Sequence, residues 1–178
     1  MKRVCYSVAA SLDGFIAGPQ GEYDWIPEAP EIDFQPLVER FDTFILGSGT
    51  YATVLGQGEE GFTVFTGKQV LVFSDSLEQA DHPKVNIVKS RDLTATLQDL
   101  RKQSGKDVWL FGGGQLFRSL AEAGFVDSVE VAVMPILLGD GIPLLPTPAP
   151  RIKLQLNSHR FYEPSGVVVL EYDVVSGE

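Results

Sequence analysis

The chain has 178 residues, 44% of them apolar and 21% charged, the size and balance of one globular domain with a sizeable core. Fourteen bases against 24 acids give a net charge of −10 with no Lys/Arg cluster, which argues against general phosphate-backbone binding. No apolar run approaches the ~18 residues of a membrane span and the start lacks the order of a secretion signal. The expectation is therefore one domain over residues 1–178, cytoplasmic, without nucleic-acid or membrane partners.

Residues 4–10 form a short apolar run rich in small and β-branched side chains and predict a buried strand. Cys5 lies in that run and is expected to be core, because a buried thiol packs as a small hydrophobe. Ser11-Leu12-Asp13-Gly14 is turn-prone, and loop continues through Gly18-Pro19-Gln20-Gly21. Residues 31–40 predict a helix from the spacing of Phe34, Leu37, Val38 and Phe41, with Pro36 tolerable only in a first turn. Residues 43–46 predict a second strand, followed by Gly47-Ser48-Gly49-Thr50 and a short helix from Tyr51. Phe62 and Phe65, between glycine-rich segments, are expected at an interface.

Strands are predicted at 69–73, 85–88 and 107–111, and a helix at 92–103 with Leu93, Leu97 and Leu100 on one face. Gly112-Gly113-Gly114 then leads into a helix reaching about Ala123. Strands alternating with helices indicate a parallel sheet with crossovers. The last third changes character: strands at 128–134, 152–161 and 167–175 follow without intervening helices and suggest antiparallel or mixed pairing at one edge. The proline-rich stretch 143–150 reads as a loop. His82 and His159 are far apart in sequence and lack Cys or carboxylate partners at ligand spacing, so no metal site is expected.

Three strand exits share one chemistry. Gly47-Ser48-Gly49-Thr50, Ser74-Asp75-Ser76 and Gly112-Gly113-Gly114-Gln115 each follow an apolar strand, and in a parallel sheet all three emerge at the carboxyl edge, where such sheets bind ligands. Glycine permits close approach of backbone to a pyrophosphate, and a following helix offers unpaired N–H groups and partial positive charge. Tight turns alone would also explain any one of them. The usual G-x-G-x-x-G fingerprint is absent.

Gly47-Ser48-Gly49-Thr50-Tyr51 after Phe44-Ile45-Leu46, and Trp109-Leu110-Phe111 before the glycine triplet, resemble the dihydrofolate-reductase-like superfamily. Ser11-Leu12-Asp13-Gly14-Phe15-Ile16-Ala17 and the run from Met134-Pro135-Ile136 through Gly139-Asp140-Gly141 to Leu144-Leu145 are similar to one branch of it. That branch is the reductase domain of the bifunctional riboflavin-biosynthesis deaminase–reductase, here as a stand-alone relative. The resemblance implies an α/β three-layer fold. Its centre would be a mostly parallel mixed sheet with a C-terminal antiparallel strand pair and flanking helices.

It also implies a nicotinamide cofactor, NADPH or NADH. Ile16 would lie near the nicotinamide, Gly47, Ser48 and Thr50 near the phosphates, Ser74 near the adenosine ribose, and Gly112, Gly113, Gly114, Gln115 and Leu116 along the pyrophosphate. The implied activity is hydride transfer to a small pyrimidine- or pterin-like heterocycle, as in 5-amino-6-(5-phosphoribosylamino)uracil reductases. A catalytically idle nucleotide-binding relative and a dihydrofolate reductase proper are the alternatives.

Ser48 and Asp75 stand where this branch carries arginines that hold an NADP 2′-phosphate; an acid there suits a free 2′-hydroxyl. NADH is therefore expected to bind at least as well as NADPH, unless Lys68, Lys89 or Arg91 supplies the missing charge. Glu31 and Asp33 are the candidate proton donors, or simply solvated acids in a first helical turn. Phe117 replaces an aromatic hydroxyl of the family. Trp25 is either a wall of the substrate cleft or a lid residue packed on the body. The apolar segments Ile136-Leu137-Leu138 and Leu144-Leu145 lead to the expectation of a homodimer through the C-terminal strands.

Overall fold

A computed structural model describes residues 1–175; residues 176–178 of the expected domain lie outside the described residues. Strand β1 (Val4–Ser11) is central, because its alternation serves two layers. Val4, Tyr6 and Val8 face one apolar cluster, while Cys5 and Ala9 face the other side of the sheet. The remaining strands are β2 (Phe15–Ala17), β3 (Phe41–Gly47), β4 (Gln69–Phe73), β5 (Asn86–Val88), β6 (Asp107–Gly112), β7 (Ser128–Met134), β8 (Ile142–Pro143), β9 (Leu154–Tyr162) and β10 (Val167–Val174). Eight of them form one sheet in the order β5-β4-β3-β6-β1-β7-β10-β9. The first six positions pair in parallel, and β10 pairs antiparallel with both β7 and β9.

Four helices are described: α1 (Gln35–Glu39), α2 (Ser48–Gly56), α3 (Leu93–Lys102) and α4 (Gly114–Glu122). On one face of the sheet, α3 and α4 bury Leu97, Leu100, Leu116, Phe117 and Leu120 against Val4, Tyr6, Ile45 and Leu110. Each such side chain contributes roughly 1.5–3 kcal/mol by leaving water. On the other face, Tyr51 and Val54 of α2 pack with Phe41, Phe44, Leu46, Val72 and Trp109. The three-layer arrangement, helices on both sides of one sheet, follows from these two apolar faces.

Some expectations are corrected. The helix expected over 31–40 is reduced to α1, because Pro36 has no N–H to donate and sits in its first turn. Phe62 and Phe65 pack within the fold: Phe65 is buried edge-on against Phe44 and Phe111, and the half-buried Phe62 packs edge-on against Phe65 and Tyr51. The short strands β2 and β8 pair with each other, inside segments expected to be loop. Two or three residues carry no periodicity to read.

Candidate active-site cleft

The parallel strands β1, β3, β4 and β6 all end at one edge of the sheet, and there a cleft of about 1420 Å³ opens. That exceeds the roughly 300–1,000 Å³ typical of a site for one small ligand. Nine of the residues singled out in the sequence line it together: Ile16, Gly47, Ser48, Thr50, Gly112, Gly113, Gly114, Gln115 and Leu116.

Its centre is the meeting of two helix N-termini. Gly47 caps α2 and Gly113 caps α4, both in extended backbone conformation; neither helix has a side-chain cap or an acid in its first turn. The N–H groups that a first helical turn cannot pair internally are thus not taken up by a side chain, and each end carries roughly +0.5 of an elementary charge. The two approach closely. A Cβ on Gly47 would lie 3.7 Å from the Gly113 nitrogen, and one on Gly112 only 2.9 Å from Thr50 Oγ1. At Gly113 the one contact within 4 Å would be Thr50 Oγ1 at 3.3 Å, so this Cβ position borders open cleft rather than packed protein. Gly114 differs: a Cβ there would come within 2.7 Å of the Pro143 carbonyl oxygen and 2.8 Å of Pro146. Its bareness serves packing of the late proline-rich segment against α4.

The rim is held by Asp13. Its carboxylate accepts from the Ser11 hydroxyl at 2.6 Å, from Leu138 N–H at 3.1 Å and from Gly139 N–H at 2.8 Å. Together with Leu12 N–H to the Ile136 carbonyl, these bonds join the β1 exit to the loop after β7. The Ser11 hydroxyl and the two N–H groups lower the Asp13 carboxyl to about 2. Sequence reasoning quoted both segments without foreseeing that they clamp one another; an acid two residues after a serine was too ordinary a signal.

Other candidates lie elsewhere. Glu31 accepts from the backbone N–H of Ser165 in the β9–β10 turn, and the Ser165 side chain above all, with backbone N–H groups, lowers its pKa. Asp33 accepts from Gln35 N–H at the start of α1. Neither lines the cleft. Trp25 packs on the body, in the cluster of Met134, Val167 and Val169, with its indole N–H on the Glu22 carbonyl. Phe117 is buried and stacks on Tyr6 at 4.1 Å. The Ser74 hydroxyl accepts from the N–H groups of Ser76 and Leu77 and folds that turn. Asp75 is exposed and accepts from Ser90 N–H at 2.8 Å; the Ser90 side chain and then its N–H lower the Asp75 pKa, and Ser90 itself lines the cleft.

Of the substitute cations, Lys68 donates to the Val38 and Phe41 carbonyls at the opposite, N-terminal end of β3, away from the cleft. Lys89 is spent on the Asp75 and Leu77 carbonyls and on Glu78. Arg91 faces solvent beside Asp92.

The family model of the RibD C-terminal domain matches residues 2–168. The chain belongs to the RibD C-terminal domain family. Its similarity to the uncharacterized protein YyaP of Bacillus subtilis is 30% identity over 181 residues, covering 96% of this chain and 94% of that one. A putative riboflavin biosynthesis protein from Shewanella sp. PV-4 superposes with a TM-score of 0.79 at 25% identity, over 99% of this chain and 100% of that one. Dihydrofolate reductase from Enterococcus faecalis, complexed with NADP(H), superposes with a TM-score of 0.69 at 13% identity, covering 98% and 97%. This last likeness concerns the fold, and it confirms the dihydrofolate-reductase-like architecture of this RibD C-terminal domain.

Proposed function

We propose that this RibD C-terminal domain is a cytoplasmic, NAD(P)H-dependent reductase of a small heterocyclic substrate. The observation that carries the reading is the pair of uncapped helix N-termini meeting at Gly47 and Gly113. Two half-charges of positive sign, with glycine in between, suit a pyrophosphate without any basic side chain. The bare face of Gly113 and the Thr50 hydroxyl beside it fit such a group. When bound, the nicotinamide would supply the hydride; the chain's own residues hold, orient and shield it. Ile16 and Ala17 on β2, fixed by pairing with β8, border the space where a ring would lie.

Titration of intrinsic fluorescence with NADH and NADPH tests this. Binding of at least one is expected, and binding of neither overturns the reading. We further propose that NADH binds at least as well as NADPH. Asp75 stays ionised beside Ser90, while Lys68 is remote and Lys89 is engaged. At ~4 Å and an effective dielectric near 20, a unit-charge repulsion is about 4 kcal/mol before screening, and ~1.4 kcal/mol suffices for a tenfold preference. The double substitution Ser48→Arg with Asp75→Arg should move the preference toward NADPH. A wild-type protein that binds NADPH much more tightly than NADH contradicts the proposal.

A second reading, a nucleotide-binding relative without reductase activity, is favoured by the placement of Glu31 and Asp33 outside the cleft. Cofactor that binds but is never oxidised with pterin, pyrimidine or quinone substrates would support it.

A further inference from the structure

We propose that the end of the cleft away from the glycine junction is a subsite for a heterocycle bearing amino donors and no phosphate, with Glu60 as the residue that selects it. This rests on the reductase reading above and assigns its substrate class.

Helix α2 runs along the wall of the cleft. Thr50, Thr53, Val54 and Gln57, at helical spacing, all line it. Thr50 stands at the glycine junction, and Gln57 lies seven residues on, about 10 Å along the axis at ~1.5 Å per residue. Beyond Gln57 the lining continues in Glu60. The loop after β2 contributes Tyr23, and Gln57 Nε2 donates to the Tyr23 hydroxyl at 2.6 Å, so the two walls meet here.

The one charged group at this end is an acceptor. One amide N–H of Gln57 is spent on the Tyr23 hydroxyl, and Gln57 Oε1 adds a neutral acceptor to the same wall. Glu60 is exposed, and its carboxylate has no hydrogen-bond or ion-pair partner among the described residues, Lys84 being paired with the neighbouring Glu59 at 2.7 Å. Among the described residues no Lys, Arg or His lines the cleft, and Glu60 is the one acidic side chain that does. A phosphate brought to this end would meet a carboxylate without a counter-cation, in a chain of net charge −10. An amino N–H finds a charged acceptor, the stronger kind of hydrogen bond. The cofactor's phosphates are not excluded by this, since their place is at the helix N-termini. The substrate class therefore differs from the phosphoribosyl compound of the reductases that the sequence resembles.

Cytidine and cytidine 5′-monophosphate share an amino-bearing ring and differ by the phosphate, whereas uridine lacks the exocyclic amine. Isothermal titration of each into the protein saturated with NADH is expected to show cytidine binding at least tenfold tighter than its monophosphate. Uridine should be weaker than cytidine by about tenfold. Glu60→Gln should bring cytidine to the level of uridine, and Glu60→Lys should reverse the discrimination in favour of the monophosphate. Both variants should keep the wild-type melting temperature, because Glu60 is exposed. The proposal is overturned if the monophosphate binds as tightly as cytidine, if cytidine does not bind, or if Glu60→Gln changes nothing. Titration with NADH alone separates the two readings. If NADH does not bind, the reductase reading fails, and the same nucleoside series without cofactor still decides the role of Glu60.

Discussion

At the scale of single residues, neighbouring glycines have different reasons to be glycine. A side chain on Gly113 would enter the cleft, touching Thr50 Oγ1, whereas one on Gly114 would strike the Pro143 carbonyl. Gly113→Val is expected to weaken dinucleotide binding at least tenfold with little loss of stability. Gly114→Ala is expected to cost about 1–3 kcal/mol in urea unfolding, as overpacking does. Equal losses of stability in the two variants, or normal cofactor affinity in Gly113→Val, would refute the assignment. Asp13 gives a pH test. Its pKa is about 2 in the fold against an ordinary 3.8, so its contribution is present above about pH 4 and is lost as pH falls toward 2. The melting temperature of the wild type should therefore fall more steeply over that interval than that of Asp13→Asn. Parallel curves would show that the clamp does not depend on charge.

At the scale of elements, the short helix α1 half-buries Leu37 and Val38 against the sheet and is further tied to it by charge. Arg40, at its end, donates to Glu130 Oε2 on β7 at 2.8 Å and to Glu171 Oε1 on β10 at 3.0 Å. Ser7 on β1 donates to Glu130 from the adjacent strand. Burial raises the pKa of Glu130, while its hydrogen bond to Glu171, aided by Ser158, lowers Glu171 to about 2. Glu130 is nearly inaccessible, so Arg40→Ala would leave a buried acid with only the more distant Arg160, at 4.0 Å, as its cation. The expected cost is about 3 kcal/mol, the low end for a broken buried pair because Arg40 itself is partly exposed. Urea unfolding measures it, and a loss below about 1 kcal/mol would show the pair to be dispensable.

At the scale of the whole molecule, the sheet ends in a long strand, β9, whose outer edge has no strand partner among the described residues. Every residue of β9 except Ser158 and Tyr162 is exposed, Phe161 at 63%. Leu154 and Leu156 are exposed on the same strand, and Leu137 is 68% exposed. The leucines expected to make an interface are differently used: Leu144 and Leu145 pack on the α3/α4 core, and Ile136 on the Trp25 cluster. We propose that a second copy of the chain covers the β9 edge, since an unpaired strand of this length invites pairing. An interface of roughly 1,600 Å² would make the homodimer stable. Light scattering should report a dimer for the wild type and a monomer for Phe161→Glu. A wild-type monomer at all working concentrations would rule it out.

Except for the short strands β2 and β8, which it did not show, the sequence by itself determined the order of the main-sheet strands and of the helices along the chain, the burial of β1 and the three strand exits. These are written in local periodicity and in glycine placement, which the chain reads within a few residues. It also supplied the glycine junction, because Gly47 and Gly112 to Gly114 each follow an unmistakable strand. Only the tertiary structure decided which acids face the cleft. Glu31 and Asp33 look as eligible as Glu60 in one dimension, yet Glu31 is drawn to a turn 134 residues away, and Glu60 reaches the cleft wall only because α2 ends there. The Asp13 clamp, at a separation of 126 residues, is equally silent in sequence. A side chain's partner across the fold depends on sheet order and helix length together, and neither is encoded in the few residues around it.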